Sequence, residues 1–120
     1  MFNQVVFAGR LTKNPEFKEF SNGVKQCKIS IAVQRPFRAT NGDELTDFFT
    51  VTLWRGLAEN VYSHCKTGSL VILKGRLENN NYTNKEGQLV YSNEIIAERL
   101  IYLTSSNKTG EIESEELIEE

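Results

Sequence analysis

Between Lys25 and Val33 apolar and polar residues alternate without a slip. Cys27, Ile29, Ile31 and Val33 fall on one side, Lys28 and Ser30 on the other. A period of two belongs to an extended chain with one face against a core, so this stretch reads as a strand and its protein as sheet-built. Val5 to Leu11 opens with Val5, Val6 and Phe7 and is interrupted by the Asn14-Pro15 turn. Phe17 and Phe20 flank a short extended piece ending at Ser21-Asn22-Gly23, and Asn-Gly is a strong hairpin signal because both residues tolerate positive φ. Residues 34–46 read as a polar loop, and a third principal strand is expected from Asp47 to Trp54.

The period then changes. Leu57, Val61 and Cys65 stand at i, i+4 and i+8, which predicts a helix that Gly68 stops. Leu70 to Asn80 is a long strand, and Asn84-Lys85-Glu86-Gly87 turns it back into a strand from Leu89 to Leu103. Five strands with one helix between the third and fourth is the order of an OB-fold, an all-β Greek-key barrel. An SH3-like barrel, the main competitor, lacks the inserted helix. With 120 residues the chain supports one core: a domain over 1–104 and a tail over 105–120. Periodicity fails in that tail, and its Ser, Asn, Gly and Glu content predicts disorder.

The net charge of −2 hides an asymmetry. Residues 1–104 hold 13 Lys/Arg against 10 Asp/Glu, whereas residues 105–120 hold one Lys against six Glu. A mildly basic domain with an acidic tail suits a polyanion partner and a tail that screens it; a merely solubilising tail is the other reading. No apolar run reaches membrane-spanning length, and Met1-Phe2-Asn3-Gln4-Val5 lacks signal-peptide features, so a cytoplasmic protein is expected. Cys27 and Cys65 cannot close a zinc site and read as small buried hydrophobes. With no phosphate-binding Gly-rich loop, no nucleophile beside a base and a single His (His64) inside the helix, no enzyme, cofactor or metal is expected.

The third strand is the most informative. Phe49, Val51 and Leu53 suit the barrel interior, which leaves Phe48, Thr50, Thr52 and Trp54 outside. Exposed Phe48 and Trp54 either stack on unpaired bases or pack against the helix or a second subunit. Phe37 lies between Arg35 and Arg38 in the polar loop, an aromatic among cations. Tyr82 sits among Asn79, Asn80, Asn81 and Asn84 at a hairpin tip, and Tyr91 is a weaker candidate. Arg10 ends the first strand, Arg55 follows Trp54, and Lys74 and Arg76 share one face of the fourth strand. Several of these cations are expected to line one groove. Non-catalytic binding of single-stranded DNA is the expected function, in replication, recombination or repair. A primosome-type OB module for protein interaction and a binder of single-stranded RNA are the alternatives.

Several ordered motifs carry a resemblance over roughly residues 1–103: Phe7-Ala8-Gly9-Arg10-Leu11-Thr12 with Asn14-Pro15-Glu16; Ile29-Ser30-Ile31-Ala32-Val33; Asp47-Phe48-Phe49 leading into Trp54; Leu57-Ala58-Glu59-Asn60; Gly68-Ser69-Leu70-Val71 running to Gly75-Arg76-Leu77; and Tyr82, Gly87 and Glu94. The chain resembles bacterial-type single-stranded DNA-binding proteins. The resemblance implies a homotetrameric OB-fold that wraps single-stranded DNA, with base-stacking aromatics at Phe37, Phe48, Trp54 and Tyr82. Members of that family continue through a long linker to an acidic tip ending in Pro-Phe, which implies recruitment of replication or repair proteins. Here a short linker, Ser105 to Gly110, leads to Glu115-Glu116-Leu117-Ile118-Glu119-Glu120, with the acids but no terminal Phe. Such a tail fits a phage or mobile-element version of the family.

Overall fold

In a computed structural model, residues 1–103 and the backbone of residues 109–113 are described. The chain runs β1 (Val5–Leu11), β2 (Glu16–Glu19), β3 (Lys25–Arg38), β4 (Glu44–Trp54), α1 (Arg55–His64), β5 (Leu70–Asn79), β6 (Tyr82–Thr83), β7 (Leu89–Val90), β8 (Asn93–Leu103) and β9 (Thr109–Glu113). Neighbouring strands follow the order β1-β5-β8-β4-β3-β2, and β1 also pairs with β3. That extra pairing closes a five-stranded barrel from β1, β5, β8, β4 and β3, antiparallel except where β4 meets β8. The expected OB-fold is the one formed, with α1 between the third and fourth barrel strands.

The barrel is filled by the alternating residues. Cys27, Ile29 and Ile31 of β3, Val51 and Leu53 of β4, Val71 and Leu73 of β5, and Ala97 and Leu100 of β8 are buried. Leu57, Ala58 and Val61 of α1 join this core, and the helix packs mainly on β3. Both cysteines behave as apolar residues. Burial pushes the Cys27 thiol up to about 12 and the Cys65 thiol to about 11, so neither is a thiolate at neutral pH. His64 donates from Nδ1 to the Asn60 carbonyl at 2.8 Å and stacks on Tyr102 at 5.4 Å, the structural role expected. Among the described residues no helix is long and apolar enough to cross a membrane.

Two strand boundaries differ from expectation. The polar loop over residues 34–46 is instead a ribbon: β3 continues to Arg38, β4 begins at Glu44, and a tight turn spans Ala39 to Asp43. Gly42, at φ +88, supplies the left-handed step, and the Asn41 side chain accepts the Asp43 amide. A ribbon that leaves the barrel has no buried face, so its residues show no alternation. The long final strand is also broken. Leu89–Val90 pairs with Tyr82–Thr83 in a separate hairpin, and β8 starts only at Asn93. The Asn81 side chain accepts the Ser92 amide, and the Asn80 amide donates to the Ser92 carbonyl, pinning the junction. Within the segment expected to be disordered, Thr109–Glu113 forms β9 antiparallel to β8, from Arg99↔Glu113 to Leu103↔Thr109. The rest of that segment lies outside the described residues.

Closure depends on two glycines with no room for a side chain. A methyl group at Gly9 would collide with the Ala32 carbonyl oxygen, and one at Gly75 with the carbonyl oxygen of Ile96. Both neighbours are backbone and cannot swing aside. Gly75→Ala is therefore expected to lower stability by about 1–3 kcal/mol, the usual range for overpacking. A urea titration giving an unchanged midpoint for this variant would contradict the closure argument.

Candidate nucleic-acid interface

The outer face of β4 carries Phe48, exposed, and Trp54, half-buried. Antiparallel partners share a face, so the registers Arg10↔Ala32 and Ala32↔Phe48 set Arg10, Ala32 and Phe48 in one row across β1, β3 and β4. The phenyl ring of Phe48 is 67% exposed, and the small Ala32 leaves the surface between it and Arg10 low. Arg10 and Phe48 are two strand spacings apart, roughly 10 Å. Arg10 also donates to the Gly68 carbonyl at 2.9 Å, which ties its guanidinium to the loop after α1.

Trp54 ends β4 six residues beyond Phe48, about 20 Å along the strand. It is half-buried, and its ring stacks on Phe20 with centroids 5.9 Å apart and planes 25° from parallel. Thr50 lies exposed between the two aromatics, but Thr52 is 1% exposed. The difference from the expected open face has a cause in topology: β4 is flanked at Thr52 by β3 through Lys28 and by β8 through Ile96, which is itself buried. Beside this row Trp54, Arg55, Arg76, Ile96, Val24 and Glu78 line a groove. Arg55 starts α1 at φ +59, a left-handed conformation that costs a side-chain-bearing residue roughly 1–2 kcal/mol. Strain of this kind concentrates at functional positions.

The remaining sequence-derived residues are dispersed. Phe37, 58% exposed, stands near the end of β3 on the protruding ribbon rather than in a loop. Tyr82, 54% exposed, stands on the β6–β7 hairpin opposite Val90, with Tyr91 exposed nearby in sequence. The structure thus brings Trp54, Arg55 and Arg76 to one groove and Arg10 to Phe48, while Phe37 and Tyr82 occupy separate protrusions. Lys74 takes another position. It is paired across β5 with Val6 and Arg99 and lines a cleft with Val6, Ile72, Arg99 and Ile101, apart from Trp54.

Three of the arginines are already matched by carboxylates. Arg35 grips Asp47 with two hydrogen bonds of 2.8 Å, Arg38 reaches Glu44 at 3.2 Å, and Arg76 reaches Glu78 at 2.7 Å and Glu98 at 3.2 Å. The hydrogen bond from Arg35 holds the Asp47 carboxyl below its usual range. These pairs are solvent-accessible, so each contributes little to stability and can exchange its carboxylate for another anion. They keep the arginines extended and aligned. Phosphate, which accepts the same two-pronged contact, is such an anion.

Phe20 and Lys18 escaped the sequence reading. Phe20 follows β2 and Lys18 lies within it, with its ammonium 4.7 Å from the Phe20 ring centre. The only hint in the sequence is a large ring placed immediately before the Ser21-Asn22-Gly23 turn. Among the described residues no cluster of His, Cys, Asp or Glu could hold a metal ion.

Comparison with known proteins agrees with this geometry. Residues 2–103 match the model of the single-strand binding protein family. The single-stranded DNA-binding protein of Bacillus cereus is 40% identical over 111 residues, 92% of this chain and 65% of that protein. Single-stranded DNA-binding protein B of Bacillus subtilis is 40% identical over 103 residues, 86% of this chain and 91% of that protein. Single-stranded DNA-binding protein 3 of Listeria innocua is 42% identical over 105 residues, 88% and 66% of the two chains. This chain thus spans less than two thirds of the Bacillus cereus relative and nearly all of the Bacillus subtilis one. The matched span takes in the whole closed barrel with Phe48 and Trp54 of β4, and the chain belongs to the single-strand binding protein family.

Proposed function

We propose that this protein binds single-stranded DNA without strong sequence preference and shields exposed strands in replication, recombination or repair, with no catalytic step. The observation that carries the reading is the outer face of β4. It presents Phe48 and Trp54 about 20 Å apart on a rigid strand, with Arg10 beside the first and Arg55 and Arg76 beside the second. Every base has a π face, so stacking on such rings is tolerant of sequence, and flanking cations follow the phosphates. Phe37 and Tyr82 extend the contact onto the ribbon and the hairpin, and Arg35 and Arg38 exchange their carboxylates for phosphate as DNA arrives. Lys74 adds to the long-range positive field, at a distance from the aromatic row.

A second subunit is part of the proposal. Along β1, only Arg10 and Leu11 pair with β3, so Val5 to Ala8 leave one strand edge unpaired by β3. Val6, 60% exposed, lies with Ile72 and Ile101 on an apolar outer face of the β1-β5-β8 sheet. An open edge next to an apolar face favours self-association. We assign a homo-oligomer, a tetramer in line with the resemblance. Light scattering at micromolar concentration should give a multiple of 13.7 kDa. A purely monomeric mass would overturn it.

Trp54 is the sole tryptophan and reports directly on the proposed surface. Saturating single-stranded DNA should strongly quench its fluorescence, and duplex DNA should not. Replacing Phe37, Phe48, Trp54 or Tyr82 by Ala should each cost about 1–3 kcal/mol of binding. Four variants with unaltered affinity, or tighter binding to single-stranded RNA than to DNA, would refute the reading.

The acidic C-terminal segment is assigned a competing role. Tethered beside β8, it reaches the cationic groove at high effective concentration and must be displaced by DNA. Ending the chain at Glu113 removes four glutamates while keeping β9. This truncation should tighten DNA binding most at low salt, with the gain shrinking as screening sets in over about 8–10 Å. Equal affinities at low salt would leave the tail a solubilising one, without the competing role. Recruitment of replication or repair proteins through Leu117-Ile118 and the surrounding acids belongs to the same proposal.

A further inference from the structure

The DNA surface does not end at Trp54: we propose that Phe20 is a positioning residue for Trp54 and that Lys18, held over Phe20, takes a phosphate on β2. The inference rests on the single-stranded DNA reading and extends it to β2, which holds none of the DNA-contacting residues proposed there.

The registers Trp54↔Gln26 and Gln26↔Lys18 put Lys18, Gln26 and Trp54 in one row across β2, β3 and β4, on the face that also carries Phe48. Phe20 closes the row from above: its ring stacks on Trp54 at 5.9 Å, and the Lys18 ammonium stands 4.7 Å from its centre. The turn holding Phe20 is fixed by two backbone hydrogen bonds of 2.9 Å, Phe20 amide to Val24 carbonyl and Gly23 amide to Phe20 carbonyl. Phe20 is therefore a supported ring on a short turn.

Trp54 needs such support. It is the last residue of β4, and the chain bends sharply at Arg55 immediately after it. Trp54 lines the groove with Arg55, Arg76 and Ile96, and the Phe20 ring stacks on its indole. Phe20 covers one face of the indole and leaves the other for a base. A ring already held at the angle needed for stacking loses less conformational entropy when a base arrives.

Lys18 gives the stack an electrostatic outcome. Its ammonium is attracted by the phenyl face, which holds the charge at a defined place on β2. A nucleotide stacked on Trp54 then has a cation on either side: Arg55 and Arg76 at the groove, Lys18 beyond Phe20. Phe17, stacked on Tyr62 of α1 at 4.8 Å, anchors β2 to the helix and keeps this outpost in place. The path from Phe48 along β4 thus turns at Trp54 and crosses β3 onto β2.

The test uses the full chain with Phe20→Leu, which preserves apolar volume, and Phe20→Tyr, which preserves the ring. Each is titrated with fluorescent oligothymidine and followed by Trp54 quenching. Phe20→Leu should weaken binding on the order of fivefold, the usual worth of an aromatic pair, and reduce the quenching amplitude. Phe20→Tyr should restore both. Lys18→Gln, with the stack intact, should lower the slope of log affinity against log salt by about one. A filler role for Phe20 predicts that Leu serves as well as Phe. Wild-type affinity and quenching in Phe20→Leu would overturn the positioning role, and an unchanged slope in Lys18→Gln would overturn the phosphate contact. Phe48→Ala separates the two levels of the argument: failure of Phe48→Ala to weaken binding counts against DNA binding on β4 itself, whereas a weakened Phe48→Ala beside an unaffected Phe20→Leu counts against this proposal alone.

Discussion

Everything in this molecule depends on the closure of β1 against β3. Only Arg10↔Ala32 and Leu11↔Ile31 join these strands, yet that contact turns an open sheet into a barrel and buries Ile31 and Leu11. The approach is possible because Gly9 brings bare backbone against the Ala32 carbonyl, and Gly75 does the same against Ile96 on the opposite side. Sheets twist, and a closed five-stranded barrel concentrates that twist where strands cross, so residues without side chains are needed at the tight crossings. Next to Gly75 the β5–β8 register slips by one residue. Arg99 pairs with Lys74 and Ala97 with Gly75, leaving Glu98 between them, where it meets Arg76. The irregularity that relieves the crossing also sets a carboxylate against a groove arginine.

Closure makes two kinds of surface. The interior takes one side chain in two from each barrel strand and has no room for the rest. On β4 the rejected set includes Phe48 and Trp54, which a small core cannot hold together with Phe49, Val51 and Leu53. The rejected set on β1, β5 and β8 is Val6, Ile72 and Ile101, apolar and rimmed by Lys74 and Arg99. One exposed face is therefore aromatic and flanked by arginine, the other aliphatic. Aromatic rings beside cations suit bases and phosphates, while an aliphatic face beside an open strand edge suits another protein surface. The two outward faces of one barrel thus differ in chemistry, one aromatic and cationic, the other aliphatic.

Charge in the barrel is paired rather than accumulated. A domain with only three more cations than anions cannot build a strong fixed field. Instead Arg35, Arg38 and Arg76 are held by Asp47, Glu44 and the pair Glu78 and Glu98. The pairs are exposed and cheap to break, and they spare the surface an array of like charges repelling one another.

How much of this was legible beforehand varied with burial. Barrel strands betrayed themselves because one face of each is buried, and burial writes alternation into residues such as Cys27, Ile29 and Ile31. The helix was legible from Leu57, Val61 and Cys65 for the same reason, and Phe48 stood out because its face of β4 had no core to enter. The β3–β4 ribbon beyond Gln34 was not legible, since both of its faces meet water and a solvated strand carries the composition of a loop. The hairpin of β6 and β7 was hidden likewise, by a junction built from Asn80, Asn81 and Ser92 side-chain and backbone contacts. The sequence by itself determined the fold class, the family resemblance and the aromatics of β4. Only the tertiary structure decided that Thr52 is buried, that Lys74 and Trp54 line different clefts, and that Phe20 stacks on Trp54 with Lys18 over Phe20. Those three facts depend on which strands become neighbours, and pairing between residues far apart in the chain leaves no periodic mark on either partner.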